Sequence, residues 1–309
     1  ESRVSDAMDA ARMVSVSVIE PATDPIHPIP ANKGLKVLLS LCIGAVAGFG
    51  LAFLLEYFDH SFKVPEDVED NLKVTVFGTI DAVPIQESEE RENLEAIAAR
   101  PQAPVDYQIL KSNMMIHGDE TGLKVFSMCS PSQGEGVSTV ALNLAAYLAK
   151  DNGIRVVLVD ANLRKPFLHN SLKLPASPGF AEVINEDIDV HEALKQSVIP
   201  GLFIITSGIS PPRPSAIFES RKLADLIKVL RREFDWIIFD CAPVHLYPDA
   251  TLLARQLDGT VLVIQAENRA AEVAIRAKEQ LEEADAKILG AVLNRRRLII
   301  PEKIYQRLS

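Results

Sequence analysis

The residues best placed to do chemistry lie between Phe126 and Ala149, in the run FSMCSPSQGEGVSTVALNLAAYLA. It reads as a strand, a Gly-containing loop and a helix, the layout that cradles a phosphate. Gly134 and Gly136 let the backbone turn its amides toward an anion, around Glu135, and the helix adds partial positive charge at its N-terminus. Ser138 and Thr139 place hydroxyls where one reaches a magnesium ion. The full motif demands a lysine before that serine, and the sequence has Val137. A strand–helix turn that binds nothing is the plainer alternative for a Gly-x-Gly before a helix. Two acids close other apolar runs: Asp160 in VVLVDANLRKP and Asp240 in FDWIIFDCAP. An acid at such a position faces a metal or water, or simply caps the next turn.

The elements that must position these groups are short apolar runs. Strands are expected at Lys124–Met128, Arg155–Val159, Leu202–Thr206, Trp236–Phe239, Thr260–Gln265 and Lys287–Leu293. Helical stretches at Ser138–Lys150, Ser215–Arg232 and Ala270–Ala284 separate most of them. Alternation at this spacing predicts parallel strands joined by right-handed crossovers, hence an α/β sheet covered on both faces. Ligands of such sheets sit at the carboxyl ends of the strands, where the loop and both acids fall.

Further segments complete a pattern: SGISPPRPSAIFES (Ser207–Ser220) and GAVLN (Gly290–Asn294). In this order and spacing the motifs resemble the bacterial tyrosine kinase family, deviant P-loop ATPases. The first loop then matches Walker A through Gly134, Glu135, Gly136, Ser138 and Thr139, with Val137 at the lysine position. Asp160, Arg164 and Pro166 match Walker A′, Asp240 the Walker B acid, and Asp249 the Asp that follows. Asn294 lies where the family contacts a purine. The resemblance implies ATP or ADP with Mg as cofactors, the ion held by Ser138, Asp160 and Asp240. Upstream, the Pro-rich stretch from Pro21, an apolar helix ending in Glu56-Tyr-Phe-Asp59, and the FGTI segment resemble the second membrane segment of a Wzz/GumC-type polysaccharide co-polymerase.

Four departures point to lost catalysis. Val137 removes the cation that bridges β- and γ-phosphates. Asn162 replaces the second Walker A′ Asp, and an amide carries no charge and is a poor base. The family's Glu-x-x-Arg-x-x-Arg interface motif stands here as Val105, Gln108 and Lys111. The C-terminal RRRLIIPEKIYQRLS offers only Tyr305 in place of a tyrosine-rich tail. Phosphoryl transfer rests on electrostatic stabilisation, and removing one preorganised donor costs about two to three orders of magnitude in rate. Lys165, in the Walker A′ loop, is the candidate substitute cation. The resemblance thus implies a degenerate kinase-like module in exopolysaccharide chain-length control or export. An active autokinase or ATPase regulating polysaccharide assembly is the alternative.

One segment departs from the globular pattern. Val37–Leu55 runs nineteen residues without a charge. As a helix it spans about 28 Å, the thickness of a bilayer's hydrocarbon layer. Gly44 and Gly48 form a GxxxG that permits close helix approach. Met13–Ile19 alternates like a strand, four prolines between Pro21 and Pro30 exclude a regular element, and Gln86–Arg100 is helix-compatible. The expected domains are a membrane-proximal periplasmic segment (1–32), a transmembrane helix (33–60), a cytoplasmic linker (61–102) and a kinase-like P-loop domain (103–309). The starting residue Glu1, without a Met or signal peptide, suggests a piece of something longer.

The chain of 309 residues carries 32 Lys plus Arg against 42 Asp plus Glu, a net −10. That acidity excludes a nucleic-acid binder with a broad basic face. Three cysteines, Cys42, Cys129 and Cys241, form no disulfide framework. The expected partners are the membrane, further copies of this chain, and polysaccharide polymerase and export machinery. Lys33 and Lys36 before the helix and Glu56 and Asp59 after it run against the positive-inside bias. The family's placement nonetheless implies a bacterial inner membrane with residues after about 60 cytoplasmic.

Overall fold

The computed structural model describes residues 33–57, 61–82, 93, 96–97, 104–267 and 271–297. The strand-like Met13–Ile19, the Pro-rich segment, most of Gln86–Arg100 and Tyr305 lie outside them. The chain divides into two compact units, 1–58 and 59–309. In the first, helix α1 (Lys33–Tyr57) is apolar on every side, and Phe49, Phe53 and Val46 are largely exposed. Among the described residues it is the one helix long and apolar enough to cross a membrane.

The second unit is built on one eight-stranded sheet. In chain order its elements are α2 (Pro65–Leu72), β1 (Val76–Asp81), α3 (Val105–Thr121), β2 (Val125–Cys129), α4 (Val137–Ala149), β3 (Val156–Asp160) and α5 (Leu168–Ser171). There follow α6 (Phe180–Asn185), α7 (Val190–Ala193), β4 (Leu194–Gln196), β5 (Leu202–Ile205), α8 (Ser215–Phe218) and α9 (Arg221–Glu233). The chain then forms β6 (Trp236–Asp240), α10 (Asp249–Ala254), β7 (Gly259–Gln265), α11 (Ala271–Glu283) and β8 (Ile288–Arg296). The strand order is β1-β8-β7-β2-β6-β3-β5-β4, parallel except for the β4–β5 edge.

Strands β2, β3 and β6 are buried along their whole length, because helices cover both faces. Successive residues therefore enter opposite cores. Val157, Val159, Ile237 and Phe239 pack on one side, and Val156, Leu158, Trp236 and Ile238 on the other. This is why these strands read as unbroken apolar runs rather than alternating ones. Helix α4, which follows the glycine loop, is buried over nearly its whole circumference and anchors the loop's downstream end in the second core.

Two sequence expectations differ from the structure. Residues 65–81, given to a linker, form α2 and β1, and β1 is the parallel edge strand beside β8. Phe77 and Ile80 seat it in the core, and Arg296 grips Asp81 with Nε at 2.9 Å. The acidic run Glu66–Asp70 lies within α2, where the Asp67 carboxylate accepts from the amides of Lys63 and Val64. The helix expected over Ser215–Arg232 is two, α8 and α9. Ser220 breaks it by accepting from the Lys222 amide as the N-cap of α9.

Candidate nucleotide site

The carboxyl ends of β2, β3 and β6 converge on a cleft of about 350 Å³. Its lining includes Gly134–Thr139, Asn162, Arg164, Lys165, Phe167, Cys241, Tyr247 and Arg295. All residues of the glycine loop read from sequence are thus brought together. Gly134 and Gly136 both take φ of +88°, the left-handed conformation that favours glycine. Position 136 also lacks room, since a Cβ there would stand 2.3 Å from Asn294 Nδ2.

The loop is tied to the neighbouring strands by Glu135. Its buried carboxylate accepts from the Ser132 amide at 2.9 Å and from the Gln265 amide at the end of β7 at 3.0 Å. Its carbonyl accepts from Asn294 Nδ2 at 2.7 Å. Burial pushes the Glu135 carboxyl up to about 7, against the lowering pull of the two amides. Asn294 is 5% exposed and stands behind the loop rather than on the cleft wall, so the structure gives it a bracing role.

Val137 opens α4 with its side chain 7% exposed, packed into the core beneath the cleft. At the cleft the valine contributes only apolar surface, with no charge and no hydrogen-bond donor on its side chain.

Asp160 and Asp240 lie side by side in register on β3 and β6, both fully buried. Asp160 is committed to its own turn, with Oδ2 accepting from the amides of Phe167 and Leu168 at 3.0 Å each and Oδ1 from Asn162 at 3.3 Å. Asp160 thereby caps its own turn. Burial raises its carboxyl to about 6, opposed by those three amides. Asp240 differs: neither oxygen has a hydrogen-bond partner at ordinary geometry. Burial first, and the charge of Asp160 second, push it well above the ordinary carboxylate range, while the Ser138 hydroxyl favours its charged form. A buried, unpartnered carboxylate next to a hydroxyl at a helix N-terminus fits a divalent cation, and so Ser138 and Asp240 suit the magnesium that accompanies a nucleotide.

Asn162 lies on the cleft wall. Its Oδ1 accepts from the Lys165 amide at 3.1 Å and shapes the loop. Asp249 is buried and paired with Arg164, whose Nε lies 2.9 Å from Oδ2, and it also accepts from Ser215 Oγ at 2.6 Å. The Arg164 guanidinium covers the Tyr247 ring at 4.5 Å. Asp249 therefore positions Arg164 rather than facing the cleft. Lys165 is an exposed cation on the cleft wall. Sequence reasoning missed Arg295, on the same wall, and Glu135's bracing; the signal for Arg295 was its place near the carboxyl end of the last strand.

On α3, Val105 and Gln108 are exposed, while Lys111 Nζ meets Asp151 at 2.5 Å. The thiols of Cys129 and Cys241 are kept protonated by burial and act as packing groups.

A family model described as an AAA domain matches residues 123–288. Tyrosine-protein kinase ptk of Acinetobacter johnsonii is 28% identical over 297 residues, covering 92% of this chain and 40% of that protein. Tyrosine-protein kinase YwqD of Bacillus subtilis (strain 168) is 33% identical over 192 residues, covering 62% of this chain and 81% of the relative. Among solved structures, the chimerical protein CapA2B2 superposes with a TM-score of 0.67 at 30% identity, over 75% of this chain and 99% of that one. The kinase domain of Escherichia coli tyrosine kinase ETK gives 0.68 at 21% identity, over 78% and 97%, a likeness of fold. The chain spans about two fifths of the length of the first curated relatives it matches.

Proposed function

The chain belongs to the AAA-domain P-loop family that includes the bacterial tyrosine kinases, and from that premise we propose that it binds nucleotide without transferring phosphoryl groups. The observation that carries this reading is Val137, apolar and core-packed where the loop needs a cation. Asn162 supports it, since its side chain shapes a turn instead of supplying a second acid. What remains is a loop with two left-handed glycines, held open by Glu135 and Asn294 at the N-terminus of a buried helix. Such a loop binds phosphate through backbone amides and the helix dipole alone. Magnesium, where bound, supplies charge neutralisation at the phosphates; Ser138 and Asp240 are the residues suited to hold it. Arg164, oriented by Asp249 and Ser215, adds positive charge to the wall.

In this reading the module serves exopolysaccharide or capsule chain-length control or export as a structural or regulatory part. Helix α1 anchors it in the bacterial inner membrane, with residues 1–32 periplasmic and the sheet domain cytoplasmic. The domain begins near residue 61 rather than 103, because β1 belongs to its sheet and α2 packs beside it. It works as a homo-oligomer with polysaccharide polymerase and export components. The test is an ADP titration of the detergent-solubilised full chain, with and without magnesium. Saturable binding that magnesium strengthens is expected. Failure to bind ADP at millimolar concentration would remove the nucleotide from the proposal.

A further inference from the structure

One side chain on the cleft wall has no part in the reading above. Arg295 follows Asn294 with φ of +56°, a conformation a non-glycine residue keeps only where its surroundings hold it. They do: its amide donates to Asn294 Oδ1 at 2.9 Å. The turn sends the side chain back over the glycine loop, where Nη1 donates to the Gly134 carbonyl at 3.0 Å and to Gln265 Oε1 at 3.2 Å.

The bond to a carbonyl shows which side of the loop the guanidinium occupies. Such a loop holds an anion with its N–H groups, so a cation fixed on a carbonyl stands at the rim, outside the phosphate nest. Only one corner of the fork is anchored, and the residue remains exposed on the cleft wall. Its flat face is therefore open to whatever extends from a seated phosphate. The other planar groups are committed: the Tyr247 ring is covered by Arg164, and Phe167 packs against the core. Asn294 lies behind the loop.

We infer that Arg295 is a specificity-determining residue, locking the loop at Gly134 and offering its guanidinium plane as the surface on which the base of a bound nucleotide stacks. This rests on the nucleotide reading and adds to it a discrimination between a nucleotide and a bare polyphosphate. A guanidinium stacks on an aromatic ring in a way an ammonium does not.

The experiment titrates the detergent-solubilised full chain with ADP and, separately, with inorganic pyrophosphate, by calorimetry, for wild type, Arg295→Ala and Arg295→Lys. Arg295→Ala is expected to weaken ADP about five- to thirtyfold and pyrophosphate less than about twofold. Arg295→Lys should keep the weak pyrophosphate affinity and recover only part of the ADP loss. An equal loss for both ligands overturns the proposal and makes Arg295 a phosphate contact. Unchanged ADP affinity in Arg295→Ala overturns it while leaving the nucleotide reading intact. Wild type binding pyrophosphate but not ADP overturns both. Melting temperatures of the three proteins exclude a folding defect, and Arg295→Gln serves should the alanine variant prove unstable.

Discussion

Replacing Val137 with lysine places a cation at a defined point, the first turn of α4. The structure sets the competing magnitudes. Valine's burial contributes about 1.5 kcal/mol to folding. A lysine stem laid along the same apolar surface retains part of that, so the domain should still fold. In the bound state the new ammonium makes a charge-assisted hydrogen bond with the phosphates, about 1.5–3 kcal/mol. That predicts a gain in ADP affinity of about tenfold to a hundredfold. Turnover should rise far less, because Asn162 still occupies the place of the second acid and is committed to the Lys165 amide. Val137→Lys combined with Asn162→Asp rebuilds both charges and is the variant in which magnesium-dependent phosphate release should emerge. Calorimetry for affinity and a coupled phosphate assay for turnover separate the two effects. The reasoning fails if Val137→Lys leaves ADP affinity unchanged, or if that single change yields the turnover of the double variant.

Asp160 and Asp240 make stability depend on pH in a set direction. Burial raises Asp160 from 3.8 to about 6 and Asp240 higher than the usual range. Raised carboxyls stabilise the fold below the unfolded pKa, and that contribution is lost as pH climbs through the folded values. Wild type should therefore lose stability as pH climbs from about 4 through about 6 and beyond, whereas Asp240→Asn should melt higher than wild type at pH 8 and show little gain at pH 4; an equal gain at both pH values would contradict this. Gly136→Ala should cost about 2 kcal/mol and abolish anion binding, since it meets Asn294 Nδ2 and a φ of +88°. Adding Asn294→Ala should relieve the clash but not the backbone strain, so denaturant melts of the double variant should recover only part of the loss. A chain cut before residue 104 loses β1 and leaves β8 as a bare edge; by sedimentation it should self-associate where a chain cut before residue 61 stays soluble. For membrane topology, single cysteines at positions 17 and 88 probed in whole cells with an impermeant thiol reagent should label at 17 alone, and labelling at 88 alone would reverse the orientation.

The central strands were legible because two-sided burial writes itself as contiguous apolar runs, as in Arg155–Val159 and Trp236–Phe239. The glycine loop was legible because its geometry requires particular residues at positions 134 and 136. Strand β1 fell within the expected linker, since its partner β8 lies more than two hundred residues on and spacing carries no information about that pairing. The single helix expected over Ser215–Arg232 hid a cap at Ser220, a signal outweighed by the amphipathic pattern on either side. Side-chain commitments were the least accessible. Asp249 and Arg164 meet across 85 residues, and nothing local marks Asp160 as bound to three amides while Asp240 is bound to none. Arg295 read as one of three consecutive arginines; only the turn at its own backbone sends it over the loop while Arg296 reaches Asp81.

The central claim is that a phosphate-loop fold has kept its cradle and lost its chemistry through Val137 and Asn162. The most direct measurement is phosphate release and autophosphorylation by the purified full chain incubated with ATP and magnesium, against a no-protein control and the Val137→Lys, Asn162→Asp variant. The account predicts a wild-type signal no greater than the control under conditions where ADP binding is saturated. Reproducible, magnesium-dependent release or tyrosine phosphorylation by the wild-type chain would contradict it.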